Sequence, residues 1–101
     1  MFGLGSSVRY AAPAANPMRL DTPDCLGPLL RYHRERAGLS RRALSALSTV
    51  SETAIYDAEH GKPTVRLDTL YALLGALNLS LHAHGPLVAE YERTLADDPH
   101  A

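Results

Sequence analysis

The sequence predicts an all-α domain of four to five helices followed by a single C-terminal strand. Apolar residues recur at spacings of three and four over most of residues 24–77. Ser40 and Ser51, both able to cap a helix, stand directly before two of these runs. Gly38, Gly61 and Asn78 stand directly after runs, where a left-handed residue closes a helix. At 101 residues the chain can bury one modest core and not two.

Residues 1–21 combine Gly3, Gly5, Ser6, Ser7, Pro13 and Pro17 with small alanines and keep no period, which reads as a flexible arm. The first helix is expected to start near Asp24, with that carboxylate as its cap, because Pro28 is tolerated only close to a first turn. Leu26, Leu30, His33 and Ala37 then share one face. The second helix starts at Arg41, capped by Ser40, with Leu44 and Leu47 as its apolar side. Ser51 caps the third, Ile55 and Ala58 point inward, and Pro63 prevents continuation past Gly61. Two short helices joined by a tight turn over residues 38–61 form a helix-turn-helix, a pattern that points to DNA.

A strongly apolar fourth helix follows from Arg66 to Asn78, with Leu67, Leu70, Leu73, Leu74 and Leu77 at helical spacing. Residues 79–84 alternate apolar and polar with period two, which predicts a strand. Nothing else in the sequence offers it a partner. The expected partner is the same segment of a second copy, paired through Leu79, Leu81 and Ala83 about a two-fold axis. Beyond Gly85-Pro86 an acidic helix is expected from Leu87 to Leu95, with Leu87, Val88, Tyr91 and Leu95 on one side. The organisation is thus an arm over 1–21, a domain over 22–85 and an acidic segment over 86–101.

Composition narrows the function. A net charge of −1 taken alone disfavours a polyanion, but residues 25–80 carry +2 and residues 81–101 carry −3, so a mildly basic core is offset by an acidic end. The lone Cys25 forms no internal disulfide and no leader pattern opens the chain, so a reducing cytoplasm is expected. No apolar run nears the roughly 20 residues of a membrane span. Of five histidines, His82 and His84 share a strand face, yet no third ligand is spaced to join them and no metal is expected. Capping and helix-surface roles account for Ser40, Ser45, Ser48 and Ser51. With no nucleophile elbow, phosphate loop or paired acids, no enzyme and no cofactor are expected.

The run from Leu26 to Leu81 resembles the Xre/Cro-repressor class of helix-turn-helix proteins, and within it the HipB-type antitoxins that partner HipA-like kinases. The resemblance lies in Gly38-Leu39-Ser40, Leu44, Val50-Ser51, Ile55, Glu59 to Gly61 and Arg66-Leu67-Asp68-Thr69-Leu70, which fall in step without a gap. The antitoxin part rests on Gly61-Lys62, on Arg66 to Leu70 and on the strand after the fourth helix. The resemblance implies a lambda-repressor-like fold, a strand paired between two subunits, a palindromic operator, and repression of the protein's own operon together with a toxin. It also implies an ion pair between Arg34 and Glu59 that ties two helices together. The sequence departs from the family at Arg41, where glutamine is common, and at Thr49, which replaces the turn glycine.

In a helix-turn-helix the N-terminal residues of the second motif helix meet base edges, which selects Ser51, Glu52, Thr53 and Tyr56 as readers. Glu52 either accepts from cytosine N4 or simply complements the positive helix end. Arg41, Arg42 and Lys62 are the candidate phosphate anchors, with ordinary surface charge as the alternative. Arg66 either caps or pairs with Asp68. Three functions remain open: an autorepressor that is the antitoxin of a HipA-like toxin, a stand-alone Xre-type transcription factor, and a protein-interaction module that keeps the motif as scaffold.

Overall fold

The computed structural model describes residues 18–97 and contains five helices: α1 (Pro23–Arg36), α2 (Arg41–Ser48), α3 (Glu52–Glu59), α4 (Leu67–Ala76) and α5 (Val88–Asp97). All but four residues of the expected N-terminal arm lie outside the described residues. α1 packs on α3, α2 packs on both α3 and α4, and α3 touches α4. The core at their junction is Leu30, Leu44, Val50, Ile55, Ala58, Leu73, Leu74 and Leu77, with Ile55 fully enclosed. Burying one such branched side chain contributes about 1.5–3 kcal/mol.

Capping sets the helix ends. Ser40 Oγ accepts from Ala43 N at 3.0 Å and Ser51 Oγ accepts from Ala54 N at 3.1 Å, so both motif helices start on a serine. α1, α3 and α4 close with the same pair of backbone bonds, as in α3, where Gly61 N donates to the Ala58 carbonyl and Lys62 N to the Asp57 carbonyl. Asn78 takes the left-handed position after α4, with φ 59°. Thr49 takes it after α2, with φ 60°, a conformation that β-branched residues seldom adopt. Ser48 is buried beneath this turn, where its hydroxyl donates to the Leu44 carbonyl and accepts from Val50 N, linking the helix to the turn.

Four expectations are corrected. α1 starts at Pro23 with Thr22 before it and no side-chain cap, because a proline at the first position has no N–H to satisfy; Asp24 lies inside the first turn. The inner face of α1 is Gly27, Leu30 and Arg34, while Ala37 is exposed beyond the helix end. On α2 the inward residues are Leu44 and Ser48, and Leu47 is 63% exposed; on α4 Leu67 is 67% exposed. In each helix the apolar spacing extends one residue past the face that neighbouring helices cover.

The fourth correction concerns residues 79–84, which carry no strand, and no strand occurs among the described residues. Period-two alternation becomes a strand only when another segment completes the hydrogen-bond ladder, and this single chain supplies none. Leu79 is partly buried against the core, while Leu81 and Ala83 are exposed. α5 follows with no buried residue, and Leu87, Tyr91 and Leu95 lie open along one side.

Gly27 sets the spacing of α1 and α3. A Cβ built there would lie 2.9 Å from the Glu59 carbonyl carbon, nearer still to its oxygen, and 3.1 Å from the Ala58 oxygen. These are backbone atoms that no rotamer change can move. Gly27→Ala is expected to destabilise by about 1–3 kcal/mol in urea unfolding, despite alanine's better helix propensity. Thr49→Asn should act in the opposite direction, raising stability by about 0.5–1 kcal/mol, because asparagine accepts the left-handed conformation more readily.

Candidate nucleic-acid interface

The α2-turn-α3 unit is supported from within by charge. Glu59 ends α3 with its side chain 1% exposed, and Arg34 of α1, 9% exposed, meets it with two hydrogen bonds, from Nε to Oε2 and from Nη2 to Oε1, the latter at 3.1 Å. The remaining Arg34 nitrogen, Nη1, donates to the Leu39 carbonyl at 2.9 Å. Arg41 of α2 adds a third side chain to the group, with Nε and Nη2 at 3.2 and 3.1 Å from Oε1. Two cations on one carboxylate leave the cluster with a formal charge of +1. Arg41, only part-buried, carries that charge toward the surface.

Opposing effects act on Glu59. Burial pushes its carboxyl up, but the hydrogen bonds and charge of Arg34, and then those of Arg41, outweigh burial and hold it below the ordinary glutamate value. The hydrogen bond from Arg34 to Glu59 likewise raises the guanidinium above its ordinary value. Among the described residues no buried side-chain nitrogen or oxygen lacks a partner. A buried charge cluster satisfied in this way specifies one arrangement of α1, α2 and α3.

Outside this cluster, the candidate base-reading residues lie at the start of α3 and one turn along it. Ser51, Glu52 and Thr53 are exposed at its N-terminal end, with the Ser51 hydroxyl engaged as cap and Glu52 at the first helical position. Tyr56 is one turn further on and 48% exposed. Arg42 is exposed on α2 and makes no ion pair among the described residues. Lys62 is exposed and reaches Asp57 at 3.4 Å. Arg66 pairs with Asp68 through two 3.0 Å contacts at the start of α4. Leu79, Leu81 and Ala83 follow α4 as a separate group.

Two associations were not read from the sequence. Arg41 and Glu59 are 18 positions apart, a separation no local period can reveal. Arg41 also lies over the Tyr56 ring, with its Cζ 5.0 Å from the centroid, and Tyr56 stacks on His60 at 3.8 Å between centroids. The signal for the stack was present, since residues 56 and 60 are one helical turn apart. The neighbouring Gly61 turn, however, marked His60 as a helix-end residue and nothing more.

No group of three or more His, Cys, Asp or Glu side chains that could hold a metal occurs among the described residues. No helix of the described residues is long and apolar enough to cross a membrane. Comparison with protein families matches the helix-turn-helix family over residues 30–83, from the middle of α1 to the segment after α4. A search of curated proteins gives no match.

Because Glu59's carboxyl is lower in the folded than in the unfolded chain, its contribution to stability is fully present above the ordinary glutamate value. It is lost as pH falls through the lower, folded value. Glu59→Gln should cost about 3 kcal/mol at pH 7 by leaving Arg34 buried without a counter-charge. Urea unfolding repeated at falling pH should show the gap between wild type and variant closing, and a constant gap would contradict the linkage.

Proposed function

We propose, for a chain that belongs to the Xre-type helix-turn-helix family, that it is a homodimeric, operator-specific transcriptional repressor and the antitoxin of a HipA-like kinase toxin. The family is one of DNA-binding transcription regulators. The observation that carries the operator reading is that Ser51, Glu52, Thr53 and Tyr56 are exposed at the start of α3 and one turn along it, with Arg41 over the Tyr56 ring, Arg42 exposed next to it in sequence and Lys62 just past the end of α3. In this reading α3 enters the major groove. Thr53 contacts a thymine methyl, Glu52 accepts from cytosine N4, and the three cations hold phosphates.

The homodimer is proposed from the resemblance and from the alternation over 79–84, with Leu79, which leans on the core, and the exposed Leu81 and Ala83 as the segment through which two copies meet. It lies at one end of a DNA-binding unit spanning residues 22–85. The antitoxin role rests on the resemblance at Gly61-Lys62 and Arg66 to Leu70, and it places the protein in the cytoplasm. No chemistry of its own, cofactor or metal is ascribed to it. A second reading, an interaction module without operator choice, draws on the acidic residues Glu52 and Asp57 of α3, where a strong solitary DNA binder would carry basic ones.

Footprinting of the protein's own promoter is expected to show two half-sites about one or two helical turns apart. Protection that ignores sequence and vanishes at moderate salt would overturn operator specificity. A kinase-like reading frame beside the gene whose product co-purifies with this chain supports the antitoxin; without one, the stand-alone regulator remains. Tight toxin binding with no promoter shift selects the module. Arg42→Ala should weaken all sequences about equally and lower the salt slope by about one, whereas Thr53→Ala should relax preference at one base pair. Arg42 is the cleaner phosphate probe because Arg41 also holds Glu59.

A further inference from the structure

We infer that His60 is a positioning residue for the DNA face, holding the Tyr56 ring in place beside Arg41 before any DNA arrives; the inference rests on the operator reading above. Tyr56 is about half exposed, and a tyrosine in that setting on a helix surface is ordinarily spread over several rotamers. Here its ring lies nearly parallel to the imidazole, with 19° between the planes and 3.8 Å between centroids. The imidazole is itself anchored: Nδ1 is 2.7 Å from the Tyr56 carbonyl oxygen. That oxygen can only accept, so Nδ1 carries the hydrogen. Arg41, the other group over the ring, is anchored by its two contacts to buried Glu59. Tyr56 therefore touches two side chains, each fixed by a separate hydrogen bond.

The fold does not need an imidazole at this position. The end of α3 is closed by the backbone bonds of Gly61 and Lys62, and His60 is exposed and fills no part of the core. What the stack supplies is order in a side chain that would otherwise lose rotamer freedom on binding. Ordering a reader in advance lowers the cost of association and sharpens choice between sequences. The benefit falls on operator binding, where the Tyr56 ring is used, and not on sequence-independent contact with phosphates.

The experiment compares wild type, His60→Ala and His60→Phe, with Tyr56→Phe used to assign the Tyr56 ring resonances. In the free protein, His60→Ala should remove the ring-current shift at Tyr56 while leaving the urea midpoint nearly unchanged. Binding to the footprinted operator should weaken about three- to tenfold and binding to unrelated duplex should not change, with His60→Phe, which keeps the stacked ring but not the Nδ1 hydrogen bond, restoring the ring environment and the affinity in part. An unmoved Tyr56 spectrum, operator affinity within twofold of wild type in His60→Ala, or failure of phenylalanine to rescue overturns the role of His60 alone. A wild-type protein that selects no operator overturns the DNA reading itself and, with it, the use assigned to Tyr56.

Discussion

The arrangement of the helix-turn-helix in this protein depends on one buried carboxylate. Glu59 is the last residue of α3, and it is held by Arg34 of α1 and Arg41 of α2, so three of the four packed helices meet at its two oxygens. Leucines hold those helices together but tolerate sliding, since apolar contact has no direction. The hydrogen bonds fix direction. Two nitrogens of Arg34 face both oxygens of Glu59 while its third is taken by the Leu39 carbonyl, so the guanidinium plane has only one satisfied orientation. α3 is therefore presented at a set angle, and the charge left over reaches the surface through Arg41.

In the operator reading proposed above, the same arrangement reconciles an acidic α3 with a polyanionic ligand. α3 has Glu52 and Asp57 and neither lysine nor arginine. Positive charge comes from beside the helix, through Arg41 and Arg42 of α2 and Lys62 of the following loop. Under that reading, phosphate attraction and base choice fall to different elements. Under the same reading, a second copy would double the phosphate contacts without adding any charge to α3.

Much of the fold was legible in the sequence because its signals are local. Ser40 and Ser51 mark helix starts by a side chain reaching three residues ahead, and Gly61 marks a stop by a conformation few residues adopt. The face each helix buries was less legible: Leu47 and Leu67 have the right spacing yet stand exposed, since what covers a face is decided by distant helices. The segment over 79–84 shows the same limit, as its alternation states a preference that a single chain cannot fulfil. In the candidate interface, residue types and positions could be read, but the tie between Arg41 and Glu59 and the placement of Arg41 over the Tyr56 ring arise only once α2 and α3 pack together.

Gly27 gives this organisation a further property. Because α1 meets α3 through backbone atoms at Gly27, the distance between those helices does not depend on the side chains α3 displays outward. Residues 52, 53 and 56 can therefore be exchanged without resetting the spacing of the two helices, whereas Ser51 also caps α3. Under the operator reading, target preference in such a scaffold changes one position at a time while the interior keeps its spacing.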